Sequence, residues 1–151
     1  MPRKLLNVSH YQQQQTSDCL AACSAMVLDY LNISTSYSRL LRLLKVKSIG
    51  APFSNVGNLS RLRVGVEFDY GEMAILYARI DANHPVIVAV DTSELSYWDM
   101  PTYHALVVIG YDDHFIYVND PDQSFGKIAI DVNEFALAWL ERDYMFATLQ
   151  K

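Results

Sequence analysis

One cysteine, one histidine and one aspartate in this chain have the types and settings that thiol chemistry needs. A nucleophilic cysteine requires a base to take its proton and a third group to orient that base. Cys19 follows Thr16, Ser17 and Asp18, all good helix N-cap residues, and precedes a long apolar segment. This run predicts a helix over residues 18–31 with Cys19 in its first turn. Free backbone N–H groups and the positive end of the helix dipole gather there, and both stabilise a thiolate. Asp18 works against this, because an adjacent carboxylate disfavours a second negative charge.

Four histidines are available as the base: His10, His84, His104 and His114. His10 lies in the N-terminal leader, His114 at a predicted hairpin tip in solvent, and His84 just before Pro85. His104 opens the apolar run 105–109 directly after a long polar loop. If Asp112 and Asp113 form a turn, counting back eight residues reaches His104 and counting forward seven reaches Asp120. The two side chains then meet across adjacent strands. There Asp120 would set the imidazole tautomer and stabilise the imidazolium. A turn cap before Pro121 is the other use for Asp120, and spacing leaves both open. Acyl transfer also needs a donor for the developing oxyanion. A glutamine amide from the run Gln12, Gln13, Gln14, Gln15, with the Cys19 N–H, can supply it, and composition does not choose among the four.

These groups must be positioned by the elements around them. The predicted helix behind Cys19 is apolar on nearly every side, interrupted only by Ser24 and Asp29, so it is expected to be a central buried helix with its tip in a cleft. Tyr37, Leu40, Leu41 and Leu44 are spaced for a second helix over residues 38–46, capped at Thr35 or Ser36. A short helix over 55–64, a strand over 64–70 and a helix over 72–82 follow. PVIVAVD (85–91) and HALVVIGYD (104–112) read as buried strands, and HFIYVND as the hairpin partner of the second. A strand over 127–132 precedes a helix opened by Val132, with Phe135, Leu137 and Leu140 as its apolar face. YMFATLQ is the last strand. Helices first and a mainly antiparallel sheet afterwards argue an α+β fold. Residues 91–103 carry Tyr97, Trp98, Met100 and Tyr103 just ahead of His104, and are expected to form one wall of a substrate groove.

With 151 residues the chain is expected to be one domain, 1–151, large enough to bury roughly two thirds of its unfolded surface. A net charge of −5 and the lack of a basic cluster argue against nucleic acid as a partner. Arg39, Arg42, Lys45 and Lys47 form one short positive run, expected to be a solvated helix face. The only cysteines, Cys19 and Cys23, are four residues apart, too few and too awkwardly placed for a disulfide framework or a zinc site. No metal or other cofactor is expected. A reducing, cytoplasmic setting is the default. After Pro2, Arg3 and Lys4 only Leu5 and Leu6 precede polar residues, so neither a signal peptide nor a membrane segment is expected.

The two stretches QQQTSDCLAACSAMVLDYLN and HALVVIGYDDHFIYVNDPD together resemble the bacteriocin-processing cysteine peptidase family. Its members cut double-glycine leader peptides or stand alone as peptidase-like proteins. The resemblance spans nearly the whole chain and extends to Phe135 and Trp139 on the late helix. It implies a papain-like fold. It also implies Cys19 as nucleophile, His104 as base and then acid, and Asp120 as the orienting group. Gln13, six residues before the cysteine, would line the oxyanion hole. A peptide or protein substrate follows, as does an association with an exporter. The chain departs from the transporter-linked pattern at Leu20, where glycine is usual. A side chain there would narrow the cleft or block a double-glycine substrate. The same residue set also fits a thiol acyltransferase. A peptide-binding module without catalysis is the third class, and the complete set of reactive groups disfavours it.

Overall fold

A computed structural model describes residues 2–151. In chain order it contains β1 (Lys4–Leu5), α1 (Cys19–Tyr30), α2 (Tyr37–Leu43), a 3-10 segment at Phe53–Leu62, β2 (Gly65–Tyr70) and α3 (Met73–Asp81). β3 (Val86–Asp91), β4 (Tyr103–Tyr111), β5 (Phe115–Asn119), β6 (Ile128–Asp131), α4 (Val132–Leu140) and β7 (Met145–Gln150) follow. The sheet runs in the order β2-β7-β3-β4-β5-β6, with every pairing antiparallel. The expected α+β class and mainly antiparallel sheet are what the structure shows.

β3 and β4 are adjacent in the sheet, with Val86 opposite Val108 and Asp91 opposite Tyr103. All their residues except Asp91, Tyr103 and Tyr111 are buried. Strands covered on both faces read as continuous apolar runs rather than alternating ones. Helix α1 packs against β4 and α2, and Leu20 through Ser24, with Met26, Val27 and Leu28, are buried on it. Burial of each leucine-sized side chain stabilises by about 1.5–3 kcal/mol, so this helix is held by its body while its N-terminal tip stays at a cleft. Cys23 is fully buried, as a small core residue should be. Ser36 caps α2, its Oγ accepting from the Arg39 N–H at 3.2 Å. Arg39, Arg42, Lys45 and Lys47 are exposed, as expected of a solvated face.

Two expectations are corrected. The buried face of α4 is Phe135, Ala138 and Trp139, while Leu137 is 50% and Leu140 45% exposed. Positions 135, 138 and 139 share one helical face, whereas 137 is two residues away and points elsewhere. The hairpin turn is centred on Asp113–His114: the Asp112 N–H bonds the Phe115 carbonyl at 2.9 Å, and the Asp112 side chain accepts from both His114 and Phe115 N–H. A bulge also shifts the β4–β5 register between Val108 and Gly110. Asn119, the last residue of β5, therefore faces Val107, and Asp120 follows it outside the strand. The His104 and Asp120 side chains still meet, 2.7 Å apart.

The leader is extended and adds β1 to β4 beyond the end of β3, with Leu5 opposite Gly110. A Cβ at Gly110 would collide with the Lys4 carbonyl and the Leu5 side chain, so only glycine lets the two backbones approach this closely. Gly110→Ala is expected to lower unfolding stability by about 1–3 kcal/mol, the usual range for overpacking, as measured by urea denaturation.

Candidate active site

Cys19 is the first residue of α1, and His104 is the second residue of β4. The His104 Nε2 lies 2.7 Å from the Asp120 Oδ1. Because a carboxylate can only accept, Nε2 carries the proton, which leaves Nδ1 to address the thiol. Cys19 is close enough to act on the imidazole both as a hydrogen-bond partner and as a charge. Cys19 and His104 line the same cleft, of about 360 Å³. A larger hollow of about 580 Å³, lined in part by Tyr11, Asp29 and Tyr37, holds neither group, so chemistry rather than volume locates the site.

The pair is deeply buried: His104 is 6% exposed and Asp120 0%. Burial alone would push the histidine down, yet it is pushed up to about 9. The hydrogen bonds to Asp120 and Cys19, and the charges behind them, outweigh burial. Burial likewise pushes the Asp120 carboxyl up, but its partners win and hold it below the usual range. Those partners are numerous. Oδ1 takes the His104 bond and accepts from the Asp122 N–H at 2.9 Å. Oδ2 accepts from the Tyr97 hydroxyl at 2.6 Å and from the Trp98 Nε1–H at 3.0 Å.

Trp98, expected in the groove wall, is not among the residues lining the cleft. Its ring packs on the imidazole with centroids 4.8 Å apart, and its N–H serves Asp120. A buried carboxylate draws polar-tipped aromatics toward itself. The placement of Tyr97 and Trp98 just before the histidine strand was the available sign. Leu20 and Tyr103 do line the cleft, together with Thr16, Ser17 and the segment from Ile49 to Phe53. That segment and Arg142 were not anticipated, since nothing in their spacing ties them to Cys19.

Gln13 sits on a loop stitched to the far end of β5. Its N–H donates to the Pro121 carbonyl at 2.8 Å, and the Gln12 amide reaches the Asp122 carbonyl at 3.3 Å. The His10 Nε2 and Gln123 carbonyl are 2.6 Å apart, and the Asn119 amide donates to the Val8 carbonyl at 3.1 Å. The Gln13 Nε2 donates to the Gln15 carbonyl at 2.9 Å. Gln13 is not among the residues lining the cleft. Asp18 does not cap its own helix. Its carboxylate accepts from the Gln15 N–H, the Ser17 hydroxyl and the Tyr37 hydroxyl, donors that offset a charge next to the thiol.

The family described as the Peptidase_C39 like family matches residues 5–145. This chain belongs to that family. Among solved structures, a proposed C39-like peptidase from Bacillus anthracis is 18% identical, with a TM-score of 0.82, covering 99% of this chain and 98% of that one. A double glycine motif protease from an AMS/PCAT transporter, solved in complex with the leader peptide, is 19% identical at a TM-score of 0.77, covering 98% and 94%. The peptidase domain of Streptococcus ComA, a bifunctional ABC transporter in quorum sensing, is 23% identical at a TM-score of 0.75, covering 97% of each chain. No curated protein matches the sequence. At these identities the structures carry the fold, which is papain-like, and the family is one of cysteine peptidases. No helix among the described residues is long and apolar enough to cross a membrane, and none of their His, Cys, Asp and Glu side chains form a group of three or more placed to hold a metal ion.

The raised His104 value has a definite pH signature. Its imidazolium contributes stability that is fully present below the ordinary value of 6.5 and is lost as pH rises through about 9. The lowered Asp120 contributes above the ordinary carboxyl value of 3.8, and its share is lost as pH falls through the folded value. An NMR titration of the His104 ring is expected to show a midpoint near 9, moving down in Asp120→Asn. An unchanged midpoint in that variant would mean that Asp120 does not sustain the imidazolium.

Proposed function

We propose that this C39-like peptidase hydrolyses peptide bonds with Cys19 as nucleophile, His104 as the proton carrier and Asp120 as the group that orients His104. The observation that supports it most is the buried His104–Asp120 pair opening onto the cleft that also holds the helix-tip thiol. With its value pushed up to about 9, His104 can take the Cys19 proton and keep it at neutral pH.

The sulfur attacks the scissile carbonyl carbon, a C–S bond forms, and the carbonyl oxygen becomes an oxyanion. The Cys19 N–H at the start of α1 and one N–H of the Gln13 amide are the donors proposed for it. The Gln13 Nε2 uses a single hydrogen on Gln15, so its second remains available. The tetrahedral adduct collapses as the C–N bond breaks, and the Nδ1–H of His104 protonates the leaving amine. Neutral His104 then takes a proton from water, the hydroxide attacks the thioester carbon, and the C–S bond breaks. The carboxylic product leaves, and the thiolate–imidazolium pair is restored. Throughout, Asp120 holds the Nε2–H and keeps the ring turned toward sulfur.

The substrate proposed is a peptide, in line with the leader peptide bound to one of the neighbours. Processing of a leader beside an exporter is the finer role that such relatives suggest. Leu20 bears on it directly: it is 3% exposed and lines the cleft next to the nucleophile. A side chain there takes up room in the cleft, so a leader cut by this enzyme would differ from a double-glycine one near the scissile bond.

Incubation with a mixed peptide library, read by mass spectrometry, tests the assignment. Cys19→Ala is expected to lose all cleavage while keeping its circular dichroism spectrum. Gln13→Ala is expected to lower kcat by about a hundred- to a thousandfold, as loss of an oxyanion donor does. Full activity in Cys19→Ala would overturn the assignment.

A further inference from the structure

The cleft holds an arginine without a carboxylate partner among the described residues, on an acidic molecule. The chain has 17 Asp and Glu against 12 Lys and Arg. Even so, no carboxylate lines the cleft among the described residues. Of the basic groups in its lining, His104 is paired with the buried Asp120, which leaves Arg142 as the cation without a carboxylate partner among the described residues. An unpaired cation in a cleft raises the local concentration of opposite charge.

Arg142 is held in place but not neutralised. Its guanidinium carbon lies 4.1 Å from the centroid of the Tyr103 ring, on the strand residue just before His104. No carboxylate pairs with it among the described residues, whereas Arg3 and Arg79 each have an acidic partner. Its backbone is fixed on both sides: the Arg142 N–H donates to the Trp139 carbonyl at 3.0 Å, and the Met145 N–H donates to the Arg142 carbonyl at 3.1 Å. Trp139 closes this turn from below, its Nε1–H bonding the Met145 carbonyl at 2.8 Å. A guanidinium stacked on an aromatic ring keeps its edge donors ready for a planar, two-oxygen anion.

We propose that Arg142 is a specificity residue that binds a carboxylate of the substrate peptide close to the scissile bond. This role depends on Cys19 acting as the peptidase nucleophile, and adds the charge of the substrate to that assignment. Two sources share the chemistry. An Asp or Glu side chain would make the enzyme an acid-directed endopeptidase. The terminal carboxylate of the chain would make it a trimmer of C-terminal ends. Tyr103 acts through Arg142, as the platform that holds it over the cleft.

Matched thiol-reactive peptides test this on the whole chain, with Cys19 labelling timed by mass spectrometry. Acetyl-Glu-Gly chloromethyl ketone against its Gln counterpart probes the side before the bond. Iodoacetyl-Gly-Glu amide against its Gln counterpart probes the side after it. Iodoacetyl-Gly-Gly as free acid against its amide probes a chain terminus. In at least one pair the acidic member is expected to label Cys19 about fivefold faster at low salt, with the ratio shrinking as salt is added. The ratio is expected to approach one in Arg142→Gln and to be partly kept in Arg142→Lys. The pair that shows it identifies the source of the carboxylate. Equal labelling in all three pairs, or an acidic preference that survives in Arg142→Gln, overturns the role of Arg142 and leaves the peptidase assignment standing. If no probe labels Cys19 faster than it labels N-acetylcysteine, the nucleophile assignment itself falls, and the role of Arg142 with it.

Discussion

A carboxylate with no exposed surface is costly to keep ionised, by several kcal/mol if left bare, and Asp120 is such a group. It stays charged because four donors converge on it: an imidazole, a phenol, an indole and a backbone N–H. The four come from three parts of the chain. The loop between β3 and β4 must fold back to deliver Tyr97 and Trp98. Strand β4 must carry His104 at its mouth, and the turn after β5 must present the Asp122 N–H. The same convergence sets the proton on Nε2 and so decides which face of the ring meets the thiol. Arrangement of the loop, the hairpin and the site is one electrostatic problem with one solution.

The Cys19 thiol is brought to this centre by a separate device. Helix α1 is anchored by its apolar body against β4, so its tip cannot drift without opening the core. The residues before it are tied by backbone and amide bonds to 119–123, the stretch that carries Asp120. The sulfur side and the acid side of the site therefore share a set of fasteners, although they are about a hundred residues apart in the chain.

Much of this could be read from residue order, and the misses have physical causes. The runs that became β3 and β4 are apolar at nearly every position because both faces are covered, and their length marks them as strands. That His104 would meet Asp120, and share a cleft with Cys19, was legible from type and setting. Their exact registry was not, because a bulge between Val108 and Gly110 carries no signal in hydrophobicity. The α4 face was misread for a related reason: Leu137 and Leu140 are more apolar than Ala138, but helical geometry, not hydropathy, chooses what faces the core. Trp98 could be placed near the site and not assigned its job, since an indole can as well contact substrate as donate a hydrogen bond to a buried carboxylate. The wall from Ile49 to Phe53 is joined to the site only through the tertiary fold, and no local pattern reveals that.

The place of β7 in the sheet has a consequence for how the molecule comes into being. The last of the strands lies between β2 and β3, bridging an early strand and a middle one. Until residues 145–150 arrive, β2 has no partner and β3 has an open edge. Hydrophobic β3 therefore stays exposed along one side until residues 145–150 slot in. Long-range closure of this kind is slow and leaves the exposed edge open to wrong pairing in the meantime.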